Sequence, residues 1–326
     1  MYKKLISVII FSVFVSAALL GCSKVSSSKT TTNLPVATSE KKNILLIMKT
    51  LTNPFFIEME KGARQAESEY GIKLTVKTGA KETSIEQQIA LVEDAITSKV
   101  DAIVISPGSS TELIPVLKKA QDAKIPIVNI DNRLDPDLSK KKGLVNVPFI
   151  SVDNKIGGYL SAKYISDKIK KPTKAIIIEG IRGADNGEQR KQGAIKAFAE
   201  NKNITLVDQE SANWNIDEGY SVAKKLFDEN HDIGAIFCAN DMMALGVIQY
   251  LDENNPKEDV LIAGFDALSE AKTAITDGKM SNTIDQQAIK QGYTGVKIAL
   301  DLINGKKPTN LVTLVDVKVI NLNNVK

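Results

Sequence analysis

From residue 42 onward the chain alternates short apolar, β-branched runs with longer stretches in which apolar positions recur at helical spacing. The short runs predict strands over residues 43–48, 73–77, 102–105, 127–130, 149–152, 175–179, 205–209, 235–238, 260–264 and 280–284, with helices between them. Runs such as Ala175-Ile176-Ile177-Ile178 show no polar alternation, which marks parallel strands covered by helices on both faces. The pattern therefore predicts an α/β body of two doubly wound parallel sheets. Helix starts are also legible. Asn53-Pro54 predicts an Asn cap with Pro as first helical residue, Thr83-Ser84 precedes an amphipathic segment over 85–97, and Asp153-Asn154 opens the helix carrying Tyr159 and Tyr164.

The segment before this body has a different pattern. A basic start at Lys3 and Lys4 is followed by the uncharged run 5–20 and then Leu19-Leu20-Gly21-Cys22. That order predicts a secretory signal over residues 1–21. A retained transmembrane anchor is the alternative, although the run is shorter than the roughly 18–20 apolar residues a spanning helix needs. Leu-Leu-Gly-Cys resembles the bacterial lipobox, which implies that Cys22 becomes a lipid-modified first residue and holds the protein at the outer face of the cytoplasmic membrane. In residues 23–41, 9 of 19 positions are Ser or Thr. Such a stretch cannot bury enough apolar surface to fold alone, so residues 22–41 are expected to form a flexible tether.

Composition narrows the chemistry. The chain has 326 residues, 42 Lys+Arg against 39 Asp+Glu, and a single His. Removing the signal takes Lys3 and Lys4 with it and leaves 40 − 39 = +1, so no nucleic-acid partner is implied. One imidazole, His231, excludes multi-histidine zinc sites, and two cysteines, Cys22 and Cys238, exclude a disulfide framework or a four-thiolate metal cage. His231 lies in a polar loop and is expected to face solvent; Cys238 lies in an apolar strand and is expected to be core. No cofactor or metal is expected.

In open α/β sheets, ligands sit beyond the carboxyl ends of the strands. The polar residues there are Asn53, Asp131, Asn132, Asn240, Asp266 and Gln286, accompanied by Phe55, Phe56 and Trp214. Planar hydrogen-bonding groups beside flat apolar faces suit a polyhydroxylated molecule, whose hydroxyls both donate and accept while its C–H face packs on a ring. Taken singly, each loop Asn or Asp is better explained as a cap or turn former; it is their convergence that points to a site.

The run Leu51-Thr52-Asn53-Pro54-Phe55-Phe56 resembles the periplasmic ribose-binding protein and its relatives, the sugar-binding components of ABC importers. The similarity continues through Asp153-Asn154 with Gly157-Gly158, Arg190 with Gly193, Phe237 to Gly246, Gly264-Phe265-Asp266 and Asp277-Gly278-Lys279, covering residues 42–320. The resemblance implies two lobes joined by a three-strand hinge, residues 42–152 plus 287–313 and residues 153–286 plus 314–326, with ligand closed in the cleft. It implies sugar contacts from Asn53, Phe55, Phe56 and Asp131 of the first lobe and from Arg190, Trp214, Asn240, Asp266 and Gln286 of the second. Asn132 stands where the ribose-type site has Arg, and the stretch from Asp131 to Asp153, with Lys140-Lys141-Lys142, is longer. The hydroxyl pattern read at Asn132 is therefore expected to differ from that of ribose.

The expected function is capture of a monosaccharide or polyol by a monomer and its delivery to the membrane subunits of an ABC importer. The alternative is a sensor presenting its ligand to a membrane receptor. A glycoside hydrolase using Asp131 and Asp266 as an acid/base pair is disfavoured by Arg190, which should hold a neighbouring carboxylate ionised. A sugar-responsive repressor would need a basic DNA-binding motif where the signal and tether stand.

Overall fold

The computed structural model describes residues 41–254 and 259–326. The signal, Cys22 and the tether as far as Glu40 lie outside the described residues. In chain order the elements are β1 (Asn43–Met48), α1 (Pro54–Tyr70), β2 (Lys73–Thr78), α2 (Ile85–Ser98), β3 (Ala102–Ile105), α3 (Ile114–Asp122), β4 (Ile127–Ile130), α4 (Pro136–Lys141) and β5 (Phe149–Val152). They continue with α5 (Asn154–Ser166), β6 (Thr173–Glu179), α6 (Asp185–Ala199), β7 (Ile204–Ser211), α7 (Ile216–Glu229), β8 (Ile233–Cys238), α8 (Asp241–Asn254) and β9 (Leu261–Ala263). The last are α9 (Ser269–Thr276), β10 (Asn282–Asp285), α10 (Ala288–Ile303), β11 (Val312–Val315) and β12 (Lys318–Asn321).

The strands form two six-stranded sheets, ordered β11-β5-β4-β3-β1-β2 and β12-β10-β9-β8-β6-β7. Pairing is parallel throughout except for β12 against β10. β3, β4 and β5 are buried along their whole length, as expected for strands covered on both faces. The order reverses between β1 and β3 in the first sheet and between β6 and β8 in the second, and those switch points open the crevices where ligands bind.

The chain passes from one sheet to the other three times: between Val152 and Asn154, between Asp285 and Ala288, and between Val315 and Lys318. Leu314 and Val315 pair with Ser151 and Val152 of the first sheet, so the last crossing lies beyond Val315 rather than after Thr313. β11 is an edge strand with only Val315 buried.

Caps follow local sequence in part. Asn53 and Asp153 accept from Phe55 N–H and Ile156 N–H at the starts of α1 and α5, whereas Ser84 makes no cap bond to α2 because its hydroxyl accepts from Lys81 N–H instead. The long stretch after Asp131 contains the short α4, capped by Asp135, with Lys140, Lys141 and Lys142 all exposed at its end. His231 is exposed and Cys238 is buried as a free thiol.

Candidate functional site

β1 carries the chain to Lys49, just past its carboxyl end, and the first turn of α1 supplies Asn53, Phe55 and Phe56. Asn53 works twice: its Oδ1 accepts from Phe55 N–H at 3.0 Å and its Nδ2 donates to Glu82 Oε1 at 2.8 Å. Asp131 follows β4 with a φ of 64°. Its Oδ2 accepts from Ser106 Oγ at 2.8 Å and pairs with Lys49 Nζ at 3.0 Å. Lys49 Nζ also lies 3.7 Å from Glu82 Oε2. The first lobe thus presents one buried cation between two carboxylates.

The second lobe repeats the idea with other groups. Arg190 on α6 donates from Nε to Asn154 Oδ1 at 2.8 Å, from one terminal nitrogen to the Ala239 carbonyl at 2.9 Å and from the other to Gln286 Oε1 at 3.3 Å. Its guanidinium stacks 3.7 Å from the Phe265 ring centre and lies 3.6 Å from Asp266 Oδ1. Gln286 Nε2 donates to the same Asp266 oxygen at 2.7 Å. Gln291 Nε2 steadies Gln286 through the Gln286 carbonyl at 2.8 Å.

Trp214 follows β7 at a φ of 66° and Asp266 follows β9 at a φ of 123°. Both are conformations that side-chain-bearing residues avoid; held here together with Asp131, they are the kind of stored backbone strain that collects at functional sites. The indole lies flat on Gly180, where an added Cβ would stand 2.0 Å from the ring, so glycine is required beneath it. Trp214 Nε1 has no hydrogen-bond partner among the described residues.

These residues line one pocket in the cleft, contributed by both lobes. Of the sequence-predicted set, Asn53, Phe55, Phe56, Asp131, Arg190, Trp214, Asn240, Asp266 and Gln286 line it, joined by Lys49, Glu82 and Asn186, which sequence reasoning missed. Lys49 and Glu82 follow β1 and β2 directly, so the strand-end rule could have found them; a Lys and a Glu in a loop read more simply as solvated. Asn132 does not line the cavity. Its amide is fully buried to one side, donating to the Pro107 carbonyl at 3.0 Å and accepting from Asn186 N–H at 3.3 Å. A larger depression of about 680 Å³ opens to solvent beside α1, α9 and α10 and shares Phe55 and Asp266 with the cleft, but its Glu58, Lys272 and Lys290 are exposed or half-buried.

A profile described as "Periplasmic binding protein domain" matches residues 44–307. The chain belongs to that family. It is 38% identical over 273 residues to the D-ribose/D-allose-binding protein of Pseudomonas aeruginosa, covering 83% of this chain and 85% of that one. It is 33% identical over 258 residues to the D-allose-binding periplasmic protein of Escherichia coli, covering 78% and 83%. A solved solute-binding protein of an ABC transporter from Actinobacillus succinogenes, with bound D-allose, is 41% identical and superposes with a TM-score of 0.82 over 87% of this chain and 98% of the other. The two-lobed α/β fold expected from the sequence is thereby shown.

The electrostatics depart from expectation at one point. With the cleft shut, burial outweighs the Arg190 charge and pushes the Asp266 carboxyl well above the usual carboxylate range. Burial also raises Glu82, against Lys49 and the Asn53 amide. Beneath the cavity, Asp241 opens α8 and accepts from Thr283 Oγ1 at 2.7 Å and Leu268 N–H at 2.9 Å, fixing the turn that presents Asp266. Burial pushes Asp241 up to about 7. As pH rises the unfolded chain loses this proton first, near the ordinary value of about 4. The stabilisation is therefore full at acidic pH and lost on the way to about 7. Thermal unfolding from pH 5 to pH 8 is expected to show a falling Tm, with a shallower fall in Asp241→Asn. Parallel slopes in the two proteins would refute the assignment.

Proposed function

We propose that the cavity holds one neutral aldopyranose, with D-allose the leading candidate and D-ribose the second. Capture of a sugar between the lobes and its delivery to an ABC importer is the function of this exported chain; the identity of the sugar and the residues that hold it are the proposal. The observation that carries it is the lining of the cleft: three carboxyl groups, two cations and several amides, contributed from opposite lobes, converge with Phe55, Phe56 and Trp214 around them. Lys49 already faces Asp131 and Glu82, and Arg190 faces Asp266, so neither cation stands free for a phosphate, which suits a neutral sugar.

Hydroxyls are the matching chemistry because each can donate to a carboxylate and accept from Arg190 or Lys49, forming charge-assisted bonds about twice as strong as neutral ones. Groups from both lobes are satisfied together only when the cleft shuts, so binding energy selects the closed state. The relatives named above for ribose and allose support this choice of sugar. The relatives named above are binding proteins, and binding without catalysis is the reading we adopt. The protein is taken to act as a monomer.

A thermal-shift screen of the soluble body against D-allose, D-ribose, other pentoses and hexoses, inositol and their phosphates tests this reading. A sugar at about 100 times its Kd should add about 2.7 kcal/mol of stability. D-allose or D-ribose is expected to give the largest shift and sugar phosphates none; a phosphate as the best ligand would overturn the charge argument.

We further propose that Cys22 carries the membrane anchor, on the strength of the Leu-Leu-Gly-Cys run and the Ser/Thr tether after it. Cys22→Ser should move the protein from the membrane fraction to the medium or periplasm. A variant still embedded in the membrane would point to a retained helix.

A further inference from the structure

We infer that Ser110 and Asn132 are positioning residues that cap helix α6 from the opposite lobe, forming a latch that sets sugar affinity without touching the sugar. The inference rests on the reading of the cleft as a sugar site that opens and shuts. It begins at a defect in the sequence of α6. The residue at its N-cap position is Ala184, which offers no side-chain acceptor, the poorest kind of cap. The first N–H groups of a helix have no partner within it and need one elsewhere.

In this structure two of them find it across the cleft. Asp185 N–H donates to Ser110 Oγ at 3.0 Å and Asn186 N–H donates to Asn132 Oδ1 at 3.3 Å. Gly187 N–H is satisfied by the Asn186 side chain at 2.9 Å. A third cross-lobe bond runs from Asn186 Nδ2 to Asp131 Oδ1 at 3.4 Å. Among the described residues, the direct hydrogen bonds between the lobes away from the hinge all meet at this one turn.

The acceptors are held in place for the task. Asn132 donates from Nδ2 to the Pro107 carbonyl at 3.0 Å, which fixes its amide so that Oδ1 faces α6, and Asn129 Nδ2 holds its backbone carbonyl at 2.8 Å. Ser110 Oγ lies 3.4 Å from Asn132 Oδ1 and donates to it. Both acceptors are buried, at 5% and 0% exposure. The helix so captured carries Arg190 one and a half turns further on, and its partial positive N-terminus meets two oxygens. An arginine at position 132 would put a cation and no acceptor against that end, so the Asn found there is the residue type the latch requires.

Opening the cleft hands these N–H groups to water; shutting it returns them to Ser110 and Asn132. Losing the latch therefore weakens every ligand by the same factor, because it shifts the open–closed balance and leaves the sugar contacts intact. The test compares the mature chain with its Ser110→Ala, Ser110→Thr and Asn132→Ala variants, by calorimetry with D-allose, D-ribose and the next best sugar of the panel. Ser110→Ala is expected to bind each sugar about 5-fold more weakly, the factor for a lost helix cap, mainly through faster dissociation. Ser110→Thr, which keeps the hydroxyl, should stay near the parent. Small-angle scattering without sugar should show Ser110→Ala more open than the parent. Unchanged affinity, or losses that differ from sugar to sugar, would overturn the latch, the second by placing Ser110 in contact with ligand. If the parent binds no sugar, the functional reading fails, and the scattering comparison still decides the latch: identical open fractions overturn it.

Discussion

Arg190→Ala is expected to weaken sugar binding by about 100- to 1,000-fold and to lower the Tm of the sugar-free protein. Arg190 is 2% exposed and joins parts of the second lobe that approach one another from different places in the chain: Asn154 on α5, the Ala239 carbonyl after β8, Gln286 after β10 and Asp266 after β9. Its removal leaves Asn154 Oδ1, the Ala239 carbonyl and Gln286 Oε1 without their charged donor; a hydrogen bond to a charged group is worth about 1.5–3 kcal/mol, with each 1.4 kcal/mol worth about tenfold in affinity. Part of that cost falls on folding and part on binding, because the same fork that holds Gln286 and Asp266 lines the cavity. Arg190→Lys should recover only a fraction, since a point charge cannot replace a planar fork that reaches several acceptors at once. Calorimetric titration beside thermal unfolding checks both halves; parent-like affinity in Arg190→Ala would remove Arg190 from the site.

Trp214→Ala is the second large effect, an expected loss of about 10- to 100-fold in affinity. The indole is 4% exposed, lies on Gly180, and faces Lys49 and Arg190 at 5.9 and 5.5 Å from its ring. Stacking of a flat ligand face on an aromatic side chain is worth about 1–3 kcal/mol by alanine substitution. The backbone contributes as well: Asn240 Nδ2 donates to the Trp214 carbonyl at 3.2 Å and holds the strained turn, so the ring's position survives conservative change. Trp214→Phe should therefore bind within about fivefold of the parent, as partial retention of an aromatic face implies. Equal losses for Phe and Ala would show that the indole N–H, rather than the flat face, is what the sugar uses.

Much of this architecture is legible in the chain. Continuous β-branched runs such as 175–178 declare buried parallel strands, and the strand-end rule leads to Asp131, Asn240 and Asp266 from the amino-acid sequence alone. β11 is a miss of a different kind: Leu311-Val312-Thr313-Leu314-Val315 does carry an apolar, β-branched run, here forming an edge strand that leaves Val312 and Leu314 exposed. Asn132 shows the limit of reading by position: it stands beside Asp131, but Asp131 adopts a φ of 64°, and the turn sends the next side chain away from the cavity and towards α6. Lys49 and Glu82 fail for a different reason. Both lie past strand ends, where the rule points, but a Lys and a Glu there read as solvated, and the pairing of Lys49 with Glu82 and Asp131 joins parts of the chain that are far apart in sequence.

Whether one neutral sugar is held between the lobes by these residues can be decided by titrating the soluble body, residues 41–326, with D-allose and D-ribose. Heat and tryptophan emission are followed together, because Trp214 is the only tryptophan in the chain. The expected result is saturable binding of one sugar per chain, a change in Trp214 emission that tracks the heat, and loss of both signals at the same concentrations in Arg190→Ala. Heat without a change at Trp214, or no response to any neutral sugar, would contradict a sugar site built on these residues.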